Sequence, residues 1–109
     1  MKLKFQLKDG VPDKVEKDNG PGADEIRVCP GDYVVWKLKG SEFNLQFSDT
    51  SAGKVPINWV EGKKRSARVA SDKWELIEVV REDVDRGVPL EYDVINPAGK
   101  LDPLIIVER

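Results

Sequence analysis

Residues 30–47 read Pro30-Gly31-Asp32-Tyr33-Val34-Val35-Trp36-Lys37-Leu38-Lys39-Gly40-Ser41-Glu42-Phe43-Asn44-Leu45-Gln46-Phe47. Pro-Gly-Asp is a turn. After it Val34, Trp36 and Leu38 fall on one side of a period-2 pattern and Lys37 and Lys39 on the other, as in a strand with one face buried. Gly40-Ser41 breaks the run. Phe43, Leu45 and Phe47 then alternate with Asn44, Gln46 and Ser48. Two alternating runs joined by a short turn predict a β-hairpin.

The same period extends in both directions. Leu3, Phe5 and Leu7 alternate with Lys2, Lys4, Gln6 and Lys8. Asp9 to Asp24 is rich in turn residues, among them Gly10, Pro12, Asn19-Gly20 and Pro21-Gly22, and reads as turn and loop. Ile26-Arg27-Val28-Cys29 reads as a short strand. In the middle, Asp49 to Asp72, short strands are predicted at Ile57–Val60 and Ser66–Ala70. Trp74 to Val80 reads as a strand on its β-branched Ile77, Val79 and Val80, with a helical turn near Arg81–Arg86 as the alternative. Leu90, Tyr92 and Val94 alternate with Glu91 and Asp93, Asn96-Pro97-Ala98-Gly99 turns, and Leu104-Ile105-Ile106-Val107 is apolar on both faces, as in a buried strand. Seven to nine short strands at regular intervals predict an all-β fold, a Greek-key β-sandwich or barrel. At 109 residues the chain is expected to form a single domain, 1–109.

Composition excludes more than it names. The chain has no histidine, which removes a Ser-His-Asp triad, a histidine-based zinc site and a blue-copper centre. Its formal net charge of −2 gives no whole-molecule attraction to nucleic acid or anionic lipid. A single Cys29 cannot form an internal disulfide and points toward a reducing compartment. There is no apolar signal-peptide core at the N-terminus and no apolar stretch of membrane-spanning length. The expected location is the cytoplasm, an exported and processed domain being the alternative.

The order of these pieces resembles a cupredoxin. In that family a Pro-Gly-Asp turn leads into a strand ending in Trp, here Pro30 to Trp36. The next strand opens with the first copper histidine, and that resemblance sets Phe43 in its place. A Tyr-x-Cys step, a ligand loop and a last apolar strand follow; here Tyr92-Asp93-Val94 puts Val94 at the cysteine, Asn96-Pro97-Ala98-Gly99-Lys100 occupies the loop, and Leu104–Val107 is the closing strand. Residues 49 to 73 have no counterpart. The resemblance implies a cupredoxin-like scaffold, and the missing ligands imply a metal-free member with no cofactor and no electron-transfer activity.

The remaining candidates are surface features. Lys54, Lys63, Lys64, Arg65, Arg68 and Lys73 cluster between Lys54 and Lys73, with Trp59 inside the segment and Trp74 just past it. Cations interleaved with aromatic rings suit a partner surface, or a groove for single-stranded nucleic acid; the plainer reading is a solvated basic edge strand. Residues 75 to 93 are correspondingly acidic, and the two segments either neutralise each other or form opposite patches that associate. Glu82, Asp83 and Asp85 lack the spacing of a calcium loop. Cys29 is a reactive thiol if a cation such as Arg27 lowers its pKa, and otherwise an inert buried cysteine. The expectation is a non-enzymatic binding or interaction module for a protein partner, with Trp59 as anchor and Lys63, Lys64, Arg65 and Arg68 as steering charges. A thiol-based redox or enzymatic protein using Cys29, and a single-stranded nucleic-acid binder through 54–73, are the alternatives.

Overall fold

The computed structural model describes residues 2–17, 25–58 and 63–108. Among these residues there are eleven strands and no helix. One sheet is ordered β2 (Val11–Lys17), β1 (Lys2–Lys8), β4 (Tyr33–Lys39), β8 (Lys73–Val79), β7 (Ala67–Ala70). The other is ordered β3 (Glu25–Val28), β11 (Leu104–Val107), β9 (Pro89–Asn96), β5 (Asn44–Phe47), β6 (Lys63–Arg65), with β10 (Gly99–Leu101) also paired to β9. Two pairings are parallel, β1 with β4 and β3 with β11; the rest are antiparallel.

Alternation decides which side chains meet between the sheets. Phe5, Val34, Trp36, Leu38 and Leu76 come from the first sheet, and Ile26, Leu45, Phe47, Leu90, Tyr92, Val94, Ile105 and Val107 from the second, all in one core cluster. Its centre is aromatic. Trp36 and Tyr92 stand edge to face at 6.2 Å, and Phe47 lies 5.2 Å from Tyr92. Such tilted arrangements suit the ring quadrupoles better than a flat stack.

Two expectations need correction. The run 33–47 is not a hairpin: β4 belongs to the first sheet and β5 to the second. Both alternating faces are apolar, and each is buried by facing the other across the sandwich. The stretch 9–24 is not all turn, because Val11–Lys17 forms β2 against β1. Asp9 and Gly10, with φ of 54° and 80°, make the left-handed pair that a two-residue hairpin requires. Pro12 is tolerated because β2 is an edge strand. The strand expected at Ser66–Ala70 is β7, Ala67–Ala70, and the chain changes sheet at Ser66 between β6 and β7. There Ser66 N–H donates to Phe43 O at 2.9 Å and Ser66 Oγ accepts from Phe43 N–H at 3.0 Å. Of the strand expected at Ile57–Val60, Ile57 makes a bridge to Val80; Trp59 and Val60 lie outside the described residues.

Trp74–Val80 is extended, as its β-branched residues suggest, and 81–86 is an irregular loop. Arg86 fastens that loop, donating to the carbonyls of Glu82, Val84 and Glu108. The basic and acidic segments are partly paired with each other. Lys54 pairs with Asp85 at 2.9 Å, and Lys64 on β6 pairs with Glu78 on β8, bridging the two sheets. Among the described residues no helix is long and apolar enough to cross a membrane.

Candidate functional site

Two ends of the sandwich carry the residues of interest. β4 begins beside Cys29 and ends beside Ser41, so the thiol and the Phe43 region lie at opposite ends. In the β5–β9 ladder Leu45 is opposite Val94 and Asn44 opposite Ile95. Phe43 lies one residue beyond and falls level with Asn96, not with Val94. Phe43 and Val94 are both buried. Phe43 packs on Phe5, with ring centroids 6.2 Å apart.

Asn96 holds this end together. Its Nδ2 donates to Gly10 O at 2.6 Å and to Ser41 Oγ at 3.4 Å. Its Oδ1 accepts from the backbone N–H of Ala98 and of Gly99, each at 3.0 Å. One nearly buried amide therefore joins the β1–β2 turn, the β4–β5 connection and the β9–β10 turn. An amide has two N–H donors and two lone pairs, and all four are used. Reading 96–99 only as a turn missed this. The available signal was the asparagine before Pro-Ala-Gly, whose side chain is suited to capturing N–H groups two and three residues on.

No protein-family model matches the chain, and no curated protein sequence does. Solved structures match in shape. An oxidized amicyanin carrying a methionine-to-lysine substitution superposes with a TM-score of 0.51 at 14% identity, over 99% of this chain and 81% of that one. A reduced Cu(I) amicyanin at pH 4, with a proline-to-glycine substitution, gives a TM-score of 0.49 at 14% identity and the same coverage. The fold is cupredoxin-like.

The residues at this end of the cupredoxin-like shell do not fit copper. A blue-copper centre needs two imidazoles and a thiolate. Phe43 and Val94 bring hydrocarbon, Asn96 brings an amide already saturated, and Cys29 is at the far end. Among the described residues no three His, Cys, Asp or Glu side chains converge in a way that could hold a metal ion. Near the acidic loop Asp83 is held by the Arg81 guanidinium at 2.8 Å, which keeps its carboxyl below the usual range, and Asp85 by Lys54.

The predicted basic residues are divided between the two sheets. Lys63 and Arg65 lie on β6, the edge of the second sheet, opposite Gln46 and Asn44. They border a shallow groove of about 440 Å³ with Asn44, Gln46 and Ile95. Lys64, on the other side of that strand, is committed to Glu78. Arg68 belongs to β7. Its guanidinium sits 5.9 Å from the Trp74 ring centroid and donates to Ala70 O and Ser71 O. That face of Trp74 is closed to a stacking base. Trp59 lies outside the described residues.

The Cys29 thiol is half-buried, and its backbone N–H donates to Asp32 Oδ2 at 2.8 Å. The Arg27 guanidinium is drawn to Glu108 at 2.8 Å and to Glu25 at 3.9 Å; the hydrogen bond to Glu108 chiefly raises its pKa. The one cation that sequence reasoning offered to this thiol is thus occupied by carboxylates. Sequence reasoning also missed a carboxyl pair. Asp93 on β9 shares a hydrogen bond with Asp102, while Lys100 Nζ approaches at 3.8 Å. Burial first, and the bond and charge of Asp102 next, raise the Asp93 pKa; Lys100 opposes them.

Proposed function

We propose that this chain is a non-enzymatic binding module on a cupredoxin-like scaffold, taking no copper and transferring no electrons, and that it meets a protein partner through the 49–73 segment. Trp59 is the anchor, and Lys63, Lys64, Arg65 and Arg68 steer the approach. The observation that carries this reading is the edge strand β6. Lys63 and Arg65 lie exposed along it beside an open groove, whereas the end where cupredoxin ligands converge is packed by Phe43, Phe5 and the saturated Asn96. Charges at the rim of an interface chiefly set encounter rate and orientation, and an aromatic anchor supplies the binding energy.

The test pairs capture with metal analysis. Partner capture from native lysate is expected to be lost with Trp59→Ala while the circular dichroism is unchanged. It is expected to fall in rate with Lys63→Ala/Arg65→Ala. A Trp59→Ala protein that unfolds places the ring in the core and ends the proposal. Protein incubated with copper and desalted is expected to retain no stoichiometric metal; retention of one copper per chain would refute the metal-free part.

A further inference from the structure

A strand at the rim of a sheet offers unpaired N–H and C=O groups to any other chain, and folded proteins guard such rims with proline, bulges or charge. The rims here are β2 and β7 in the first sheet and β3 and β6 in the second. β2 carries Pro12, which has no N–H to give, and its register with β1 shifts beside that residue. β7 is irregular between Arg68 and Ala70, and the Arg68 guanidinium occupies the Ala70 carbonyl. On β3, Arg27 is held by Glu25 and Glu108. The short β10, off these paths, is packed against β2 through Gly99 and Val11. β6 differs. It pairs with β5 in unbroken register, Lys63 with Gln46, Lys64 with Leu45 and Arg65 with Asn44, and its guard is positive charge.

One hydrogen bond decides which backbone groups of β6 are open. Ser66 N–H donates to Phe43 O at 2.9 Å, so the rung that follows Arg65–Asn44 is of the hydrogen-bonded kind. Antiparallel rungs alternate. Lys64 therefore turns its N–H and C=O toward β5, and Lys63 and Arg65 turn theirs away from it. The side chains of the same two residues lie on the outer face of the sheet with Gln46 and Asn44, exposed and without a carboxylate partner among the described residues. Asp93, the next residue in that row beyond Gln46, is bonded to Asp102 and approached by Lys100. Open main-chain groups and uncommitted cations thus coincide at alternate positions of one strand.

We propose that β6 takes an extended acidic segment of a protein partner as an added antiparallel strand. This rests on the reading of the 49–73 segment as the docking surface and names what docks there. Strand addition draws affinity from main-chain hydrogen bonds and specificity from alternate side chains. A segment of the pattern acid–x–acid sets its two carboxylates opposite Lys63 and Arg65, and the N–H groups of those two acidic residues face β6. The residue between them points to the side of Lys64, whose charge Glu78 already holds. The β6 strand of a second copy would set cation against cation, which is destabilising, so the occupant is a different sequence.

Titration of isotope-labelled protein with a short capped peptide alternating glutamate with valine and threonine tests this, with affinity and amide exchange read by NMR. The peptide is expected to slow exchange of the Lys63 and Arg65 amides. Methylating the glutamate backbone nitrogens is expected to weaken binding by about tenfold or more, and methylating the intervening nitrogens to be tolerated. A peptide of the same composition with its glutamates in one block is expected to bind less tightly. Lys63→Ala/Arg65→Ala is expected to weaken binding by about tenfold, whereas Lys39→Ala/Lys73→Ala, which removes as much charge from the first sheet, leaves it unchanged. No binding by the parent overturns the inference, as does equal affinity for the block peptide, the reverse order of the two methylated peptides, or equal loss in the two double variants. So does a single-stranded oligothymidylate that displaces the peptide from these amides at lower concentration. The docking reading itself falls on a different result, partner capture that survives Trp59→Ala, so the two failures are told apart.

Discussion

Trp36 Nε1 donates a hydrogen bond to Tyr92 Oη across 3.2 Å in the middle of the sandwich. Trp36 belongs to β4 and Tyr92 to β9, so this bond connects the two sheets inside the core. Burial drives the Tyr92 phenol far above its ordinary pKa, with the Trp36 bond acting weakly in the other direction. The hydroxyl therefore stays neutral at any pH at which the protein is handled. Tyr92→Phe keeps the ring and leaves a buried indole N–H unpaired, which costs about 1–3 kcal/mol. Urea unfolding should show a lower midpoint with an unchanged slope. A variant as stable as the parent would mean that the bond contributes nothing.

Asn96 predicts an asymmetric response to two changes. Asn96→Ala removes four hydrogen bonds and should destabilise by about 2 kcal/mol or more, since each orphaned buried group costs about 1–3 kcal/mol. Asn96→Asp keeps the acceptor for Ala98 and Gly99 but sets an oxygen against Gly10 O. The introduced carboxyl is stabilised by a proton that restores the donor, so its pKa in the folded state lies above its unfolded value. Its stability is highest in acid and falls as pH rises through the folded pKa. Thermal melts from pH 3 upward should show this variant converging on the parent at low pH and diverging at neutrality.

Gly99 is small because β10 crosses close to β2. A Cβ at this position would lie 2.8 Å from Val11 Cγ1 and 3.2 Å from its Cγ2. Gly99→Ala should destabilise by roughly 1–3 kcal/mol through overpacking, and adding Val11→Ala should recover part of the loss. A double-mutant cycle measures the coupling directly. Additive effects would contradict the contact.

The Asp93 carboxyl has its pKa raised by burial and by Asp102. A raised folded pKa means that this group's contribution is most favourable below the unfolded value and is lost as pH climbs through the folded one. Asp93→Asn removes the ionised form and should raise the melting temperature at neutral pH relative to the parent. The difference should shrink in acid, where the parent carboxyl is protonated. A constant difference across pH would dissociate the effect from this proton.

The strand pattern was legible where alternation is strong. Val34, Trp36 and Leu38, Phe43, Leu45 and Phe47, and Leu90, Tyr92 and Val94 were assigned to the interior from period 2 alone, and all nine are buried. Alternation states which face is buried, however, and not which sheet a strand joins, so β4 and β5 read as a hairpin when they are opposite walls. β2 escaped notice because Val11-Pro12-Asp13-Lys14-Val15-Glu16-Lys17 has few apolar residues; β1 imposes its extended form through backbone pairing. Of the basic cluster, composition gave the charges but not their commitments: Lys64 to Glu78, and Arg68 to Trp74. The open rim was hidden for the same reason. Lys63 and Arg65 read as two cations among six until the β5–β6 register turned their backbone groups away from β5.

The parallel pairing of β11 with β3 has a consequence for synthesis. Leu104 is the register partner of Glu25, and among the described residues β3 has no other neighbour in its sheet. Of the eleven strands β11 emerges from the ribosome last. Until it does, β3 lacks this partner and β9 lacks the strand between them, so the second wall cannot be completed vectorially. Non-local closure of this kind makes assembly slow and leaves apolar strands uncovered meanwhile, and a nascent chain stalled just short of Leu104 would be a substrate for chaperones.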